Sequence, residues 1–99
     1  MSLMRPQQFK VAGVIYYNNK RWTYYDEKVL PGGGLRIPGR HTSDNLVQDE
    51  NGYVCLASCD YAKGTVLTTP ILKSNNTQYK GKVYDYCPKS GTVDVYVNF

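Results

Sequence analysis

Helix formers are scarce in this chain: Leu, Ala and Glu are few, which argues against an all-α protein. No apolar run approaches the ~18 residues that a membrane-spanning helix needs. No tract of five like charges occurs, and the aromatics do not follow an RNA-binding strand signature, so nucleic acid is not expected as a partner. Histidine occurs once and cysteine three times. Cys55, Cys59 and Cys87 are an odd set that cannot close a disulfide framework, and Cys-x3-Cys with the lone His41 is a poor zinc signature. No metal or organic cofactor is therefore expected. The thiols fit either one bridge with one cysteine left over or three reduced side chains. The opening Met1-Ser2-Leu3-Met4-Arg5-Pro6 lacks the apolar core of a signal peptide.

What is abundant points to strands. The chain carries 10 Tyr and 9 Gly among 99 residues, and 41% of it is hydrophobic against 20% charged, as in a globular domain. This length suits one domain. We read residues 1–8 as a flexible N-terminal remnant and 9–99 as a single domain. The net charge of +4 fits plain solubility, an anionic polymer such as a cell wall, or, least well, nucleic acid.

Phe9–Tyr17 and Lys20–Val29 read as strands around an Asn18-Asn19 turn. Pro31-Gly32-Gly33-Gly34 and Pro38-Gly39 are breaks, and His41–Asn51 reads as a polar loop. Gly52–Cys59, Thr65–Thr69 (ended by Pro70), Gly81–Tyr86 and Thr92–Phe99 complete the strands. In the last, Val93, Val95 and Val97 alternate with Asp94, Tyr96 and Asn98, the period-two pattern of a strand with one apolar face. Six or so short strands with Gly- and Pro-rich turns predict a small β-barrel or sandwich.

Three aspartates stand out: Asp60 and Asp85 at strand ends, and Asp94 inside a strand, where Asp is disfavoured. Either Asp94 faces solvent opposite the valines or it lines a cleft. The motifs Cys59-Asp60-x3-Gly64-Thr65, Lys82-Val83-Tyr84-Asp85 and Gly91-Thr92-Val93-Asp94-Val95-Tyr96 resemble the 3D domain family, named for its three aspartates. The match in order and spacing runs from about Gly52 to Phe99. The N-terminal half matches weakly, with Trp22-Thr23-Tyr24-Tyr25 near the family's Thr-x-Tyr strand. This chain has Tyr86-Cys87-Pro88 where the family usually has Thr-Gly-Gly, and Ala62-Lys63 where it prefers Pro-Leu.

The resemblance implies an all-β fold, a small six-stranded double-psi β-barrel. It is similar to the barrels of membrane-bound lytic transglycosylases and of rare lipoproteins, and more remotely to expansins. It implies peptidoglycan or a related wall glycan as partner, with other domains of a larger protein around it. It implies a place outside the cell, facing the wall, or on a phage particle. The expected activity is lytic-transglycosylase-like cleavage with Asp94 as acid/base and Asp85 or Asp60 tuning it or orienting sugar. The alternative is a non-catalytic, glycan-binding or structural module.

Trp22, Tyr24, Tyr25, Tyr84 and Tyr96 are candidate sugar-stacking rings, with ordinary strand packing as the other explanation. Arg40 and Lys82 are candidate contacts to wall carboxylates or phosphates. His41 is a candidate second proton donor or, with a cysteine, part of a nucleophilic pair. Cys59 and Cys87, each near a family aspartate, are a candidate bridge pinning the two Asp-bearing turns.

Overall fold

The computed structural model describes residues 3–26, 37–86 and 89–99. One short helix, α1 (Pro6–Ala12), precedes β1 (Val14–Tyr17), β2 (Lys20–Asp26), β3 (His41–Ser43), β4 (Leu46–Gln48), β5 (Val54–Ser58), β6 (Val66–Leu72), β7 (Gln78–Asp85) and β8 (Thr92–Val97). These form one eight-stranded sheet in the order β1-β2-β8-β4-β5-β7-β6, with β3 on β4 and β8 also paired to β5. The sheet curls into a nearly closed barrel, so the all-β barrel expectation holds.

Six strands were expected and eight are present. The additional pair is the β3–β4 hairpin, inside the segment read as a polar loop. Asp44 and Asn45 make its two-residue turn at φ 54° and 63°, the left-handed backbone that Asp and Asn tolerate. The β1–β2 hairpin follows the same rule: Asn18 and Asn19 take φ 52° and 61°, as the Asn-Asn turn predicts.

Phe9 lies in α1, not in a strand. Pro6 opens the helix, and Gly13 closes it at φ 78° with its N–H donating to the Phe9 carbonyl at 2.8 Å. Proline at the first helical position and glycine just past the end are the chemistry of helix ends. Residues 4–8, read as a flexible tail, are held to the barrel. The Met4 N–H donates to Pro70 O at 3.0 Å and the Leu72 N–H to Met4 O at 2.8 Å. The Arg5 guanidinium forks onto Asp44, at 2.9 and 3.2 Å. Pro70 does not end β6 but lies within it, where the β6–β7 register shifts between Thr68 and Leu72. A proline without an N–H is tolerated at such an irregularity on an edge strand.

Two joins are parallel, β2 with β8 and β5 with β7. Because register partners share a face, β8 sorts its neighbours by parity. Val93, Val95 and Val97 are fully buried together with Phe9, Ile15, Trp22, Leu46, Leu56 and Ile71. Each such valine stabilises the fold by roughly 1.5–3 kcal/mol relative to exposure. Asp94 and Tyr96 point the other way, over a smaller cluster of Val47, Cys55 and Ala57.

Gly81 lies where β7 has no room for a side chain. A Cβ there would stand 2.6 Å from Leu56 Cδ1 and 3.1 Å from Thr69 Cγ2, and both Leu56 and Thr69 are fully buried. Gly81→Ala is expected to cost about 1–3 kcal/mol by overpacking, read as a lower urea midpoint with an unchanged slope.

Candidate functional site

The face of β8 opposite the valines gathers several of the candidate residues. Thr23 on β2 pairs in register with Asp94, and Tyr25 with Tyr96. The Thr23 hydroxyl donates to Asp94 Oδ1. The Tyr25 and Tyr96 rings meet edge to face, 6.0 Å between centroids and 81° between planes. Tyr25 is partly open to solvent, whereas Tyr96 is buried.

On the other side of β8, Ala57 of β5 lies opposite Asp94, and the same Ala57 lies opposite Asp85 of β7. Asp94 and Asp85 therefore flank one alanine across three adjacent strands, with Cα atoms about 10 Å apart by strand spacing. Ala57 itself is buried, packed with Val47, Cys55 and Tyr96 in the smaller cluster. The register between β5 and β7 slips between Leu56 and Ala57, so that Val83 is followed by Asp85 in the pairing and Tyr84 is the extra residue. A bulge of this kind re-aims side chains. It sets Asp85 toward Ala57 and lets Tyr84 pack on the outer cluster.

The Tyr96 hydroxyl donates to Asp85 Oδ2 at 3.0 Å, and the Tyr86 N–H donates to Asp85 Oδ1 at 2.8 Å. Burial pushes the Tyr96 phenol up first, and the charges of Asp85 and Asp94 add to that. Tyr96 thus stays a neutral donor to Asp85 throughout the physiological range. Tyr84 is likewise pushed up, by burial and then by its hydrogen bond to Asp49. Its hydroxyl donates to Asp49 Oδ2 at 2.6 Å. Lys82 lies over the Tyr84 ring, 5.6 Å from its centroid.

Asp60 is not part of this face. It stands beyond the Ser58–Val93 pair, three residues from the Ala57–Asp94 rung, or about 10 Å along the strand. Its carboxylate takes Lys20 Nζ at 3.0 Å, Ser90 Oγ at 2.9 Å and the Gly91 N–H at 2.6 Å. The Lys20 hydrogen bond, then those from Gly91 and Ser90, hold it below the usual carboxylate range. Lys20 is raised in turn, chiefly by the same bond. Asp60 clamps the turn before β8 to the ends of β2 and β5.

Two of the candidate stacking rings, Trp22 and Tyr24, pack in or against the core. Trp22 is 2% exposed, and its indole N–H donates to Tyr17 O at 3.1 Å. Tyr24 packs edge-on between Phe9 and Phe99, at 5.2 and 4.7 Å, and its hydroxyl donates to Lys10 O at 2.9 Å. Both stand on the core side of β2 because their even positions align with Val93 and Val95. Arg40 lies on the turn leading into β3, separated from β8 by β4. His41 opens β3, exposed, with Nδ1 2.9 Å from Gly39 O. Cys55 is buried and Cys59 exposed, and the Cys59–Cys87 bridge falls on a residue, Cys87, outside those described.

Asp49 lies outside the residues expected from sequence. This buried carboxylate accepts the N–H groups of Asn51 and Tyr53 at 2.9 and 3.0 Å as well as the Tyr84 hydroxyl. Asp49-Glu50-Asn51-Gly52 carries the signal, an Asp able to bond its own backbone two residues on. Among the described residues, no group of three His, Cys, Asp or Glu side chains could hold a metal ion. No described helix is long and apolar enough to cross a membrane. No family model matches the chain, and neither a curated protein nor a solved structure is significantly similar to it.

Because the carboxyl of Asp60 is lowered on folding, its contribution to stability is complete above the ordinary value of 3.8 and is lost as pH falls through the folded value. Asp60→Asn is expected to be less stable than the parent at pH 7, and the gap is expected to close on acidification. Thermal melts across pH 2–7 measure it.

Proposed function

We propose that this barrel is a peptidoglycan-active module that acts on the glycan strand, with Asp94 as acid/base. The observation that carries the reading is the shared outer face, on which Asp94, Asp85, Tyr25 and Tyr96 are brought together by register. The two parallel strand joins are in keeping with the double-psi barrel of the 3D domain family, which the aspartate motifs resemble. Such a module works outside the cytoplasmic membrane, facing the wall, or on a phage particle.

The chemistry needs one carboxyl group that both gives and takes a proton. Asp94, protonated, gives its proton to the glycosidic oxygen as the C1–O bond breaks. The resulting carboxylate takes the proton of the same sugar's C6 hydroxyl, whose oxygen closes on C1. The products are an anhydro end and a free hydroxyl, and no water is consumed. Thr23 fixes the direction of Asp94. Asp85, with the Tyr96 hydroxyl on it, orients the sugar rather than activating water. A hydrolase instead sets two carboxyl groups about 5–5.5 Å apart for retention or about 6.5–9.5 Å for inversion.

The second reading, a module that binds wall glycan without cutting it, is favoured by how much of the expected machinery the fold itself consumes. Asp60 is a clamp and Trp22 is core, leaving Tyr25 as the more exposed ring beside Asp94.

Purified peptidoglycan incubated with the protein is expected to release muropeptides with anhydromuramic ends. Asp94→Asn is expected to lower that release at least about 100-fold, the range of a general acid/base, while keeping its cosedimentation with insoluble wall. Cosedimentation without any release by the parent protein selects the binding module. Neither release nor cosedimentation removes wall glycan as the partner.

A further inference from the structure

The β1–β2 hairpin holds a surface depression that the Asp94 site does not use. It is lined by Tyr16, Tyr17, Asn18, Asn19, Lys20, Arg21 and Gly91. Tyr16 and Arg21 are register partners across the antiparallel pair, so both side chains stand on the same face. That ring is 69% exposed, far more than strand packing requires. The Asn18-Asn19 turn, with both residues in left-handed backbone, presents two exposed amide side chains at the tip.

The two cations here differ. Lys20 is taken by Asp60 and lies over the Tyr61 ring, 5.3 Å from its centroid. Arg21 is exposed and makes no ion pair among the described residues. The back wall is fixed, because the Tyr17 ring meets Trp22 edge-on and the Tyr17 hydroxyl accepts from Gln78.

Arg21, Thr23 and Tyr25 stand at alternate positions on one face of β2, with Arg21 two residues, about 7 Å, from the threonine that holds Asp94. An open tyrosine face, two amides and a guanidinium suit a sugar ring that bears a carboxylate. The ring stacks, the amides meet hydroxyl and acetamido groups, and the fork of Arg21 takes the carboxylate in a bidentate pair. We infer that the Tyr16–Arg21 depression is a subsite for a carboxylate-bearing sugar, continuous with the Asp94 face, which makes the ligand an acidic rather than a neutral glycan. This rests on the glycan reading above and specifies it.

The test is an amide-shift titration of labelled protein in the Asp94→Asn background, where the strand stays whole. The probes are a wall tetrasaccharide alternating N-acetylglucosamine and N-acetylmuramic acid, and neutral chitotetraose. The wall strand is expected to bind about fivefold tighter, the worth of one exposed ion pair. Arg21→Gln is expected to bring the two to parity, and Arg21→Lys to restore part of the preference. Amides of residues 16–21 and 92–96 are expected to shift together. Equal affinity for both probes, or a preference that survives Arg21→Gln, overturns the subsite and leaves the glycan reading standing. Shifts confined to residues 16–21 uphold the subsite and remove its link to Asp94. No shift with either probe overturns both.

Discussion

The strand β8 is hydrogen-bonded to β2 in parallel and to β4 and β5 antiparallel, and this shared position organises the molecule. A strand so enclosed can only place side chains alternately. Val93, Val95 and Val97 fill the larger cluster, and the intervening Asp94 and Tyr96 are forced onto the opposite face as a consequence. Core and candidate site are thus two faces of one constraint. Shifting β8 by one residue would bury a carboxylate and expose the valines, a double penalty that fixes the register.

Because the register is fixed, the neighbours of Asp94 are dictated rather than chosen. Thr23 and Ala57 lie on its two sides, and the bulge in β7 brings Asp85 to the same rung. Tyr96, two residues on from Asp94, then holds Asp85 through its hydroxyl, its own ionisation suppressed chiefly by burial and by that hydrogen bond. The clamp at Asp60 works at the end of the same strand. It anchors the Ser90-Gly91 turn from which β8 starts.

Much of this is written locally in the chain, and the unread parts have specific causes. The alternation from Val93 to Val97 and the Asn18-Asn19 turn were legible because each rests on neighbouring residues alone. The helix was equally local, yet Pro6 and Gly13 were outweighed by the β-prone run of Val14–Tyr17 that follows. The β3–β4 hairpin was hidden by polarity, although Asp44-Asn45 has the same turn chemistry as Asn18-Asn19. For Trp22 and Tyr24 the sequence leaves stacking and strand packing both open, because the aromatic run Trp22–Tyr25 gives no parity by itself; only pairing with β8 assigns even positions to the core. Nothing local separates Asp60 from Asp85 as the residue that tunes Asp94, because the partners of Asp60, Lys20 and Gly91, come from distant parts of the chain.

The parallel join of β2 to β8 also sets an order of events. Thr23 and Asp94 are 71 residues apart. At typical synthesis rates β2 waits roughly 4–14 s on the ribosome before its partner exists. Until then the edge of β2 that takes β8 has no strand to pair with, and closing so long a loop adds an entropic cost before any contact rewards it. The acidic face is therefore the last part of the domain to assemble, and a chain interrupted before β8 would present an aromatic-rich strand edge in place of a site.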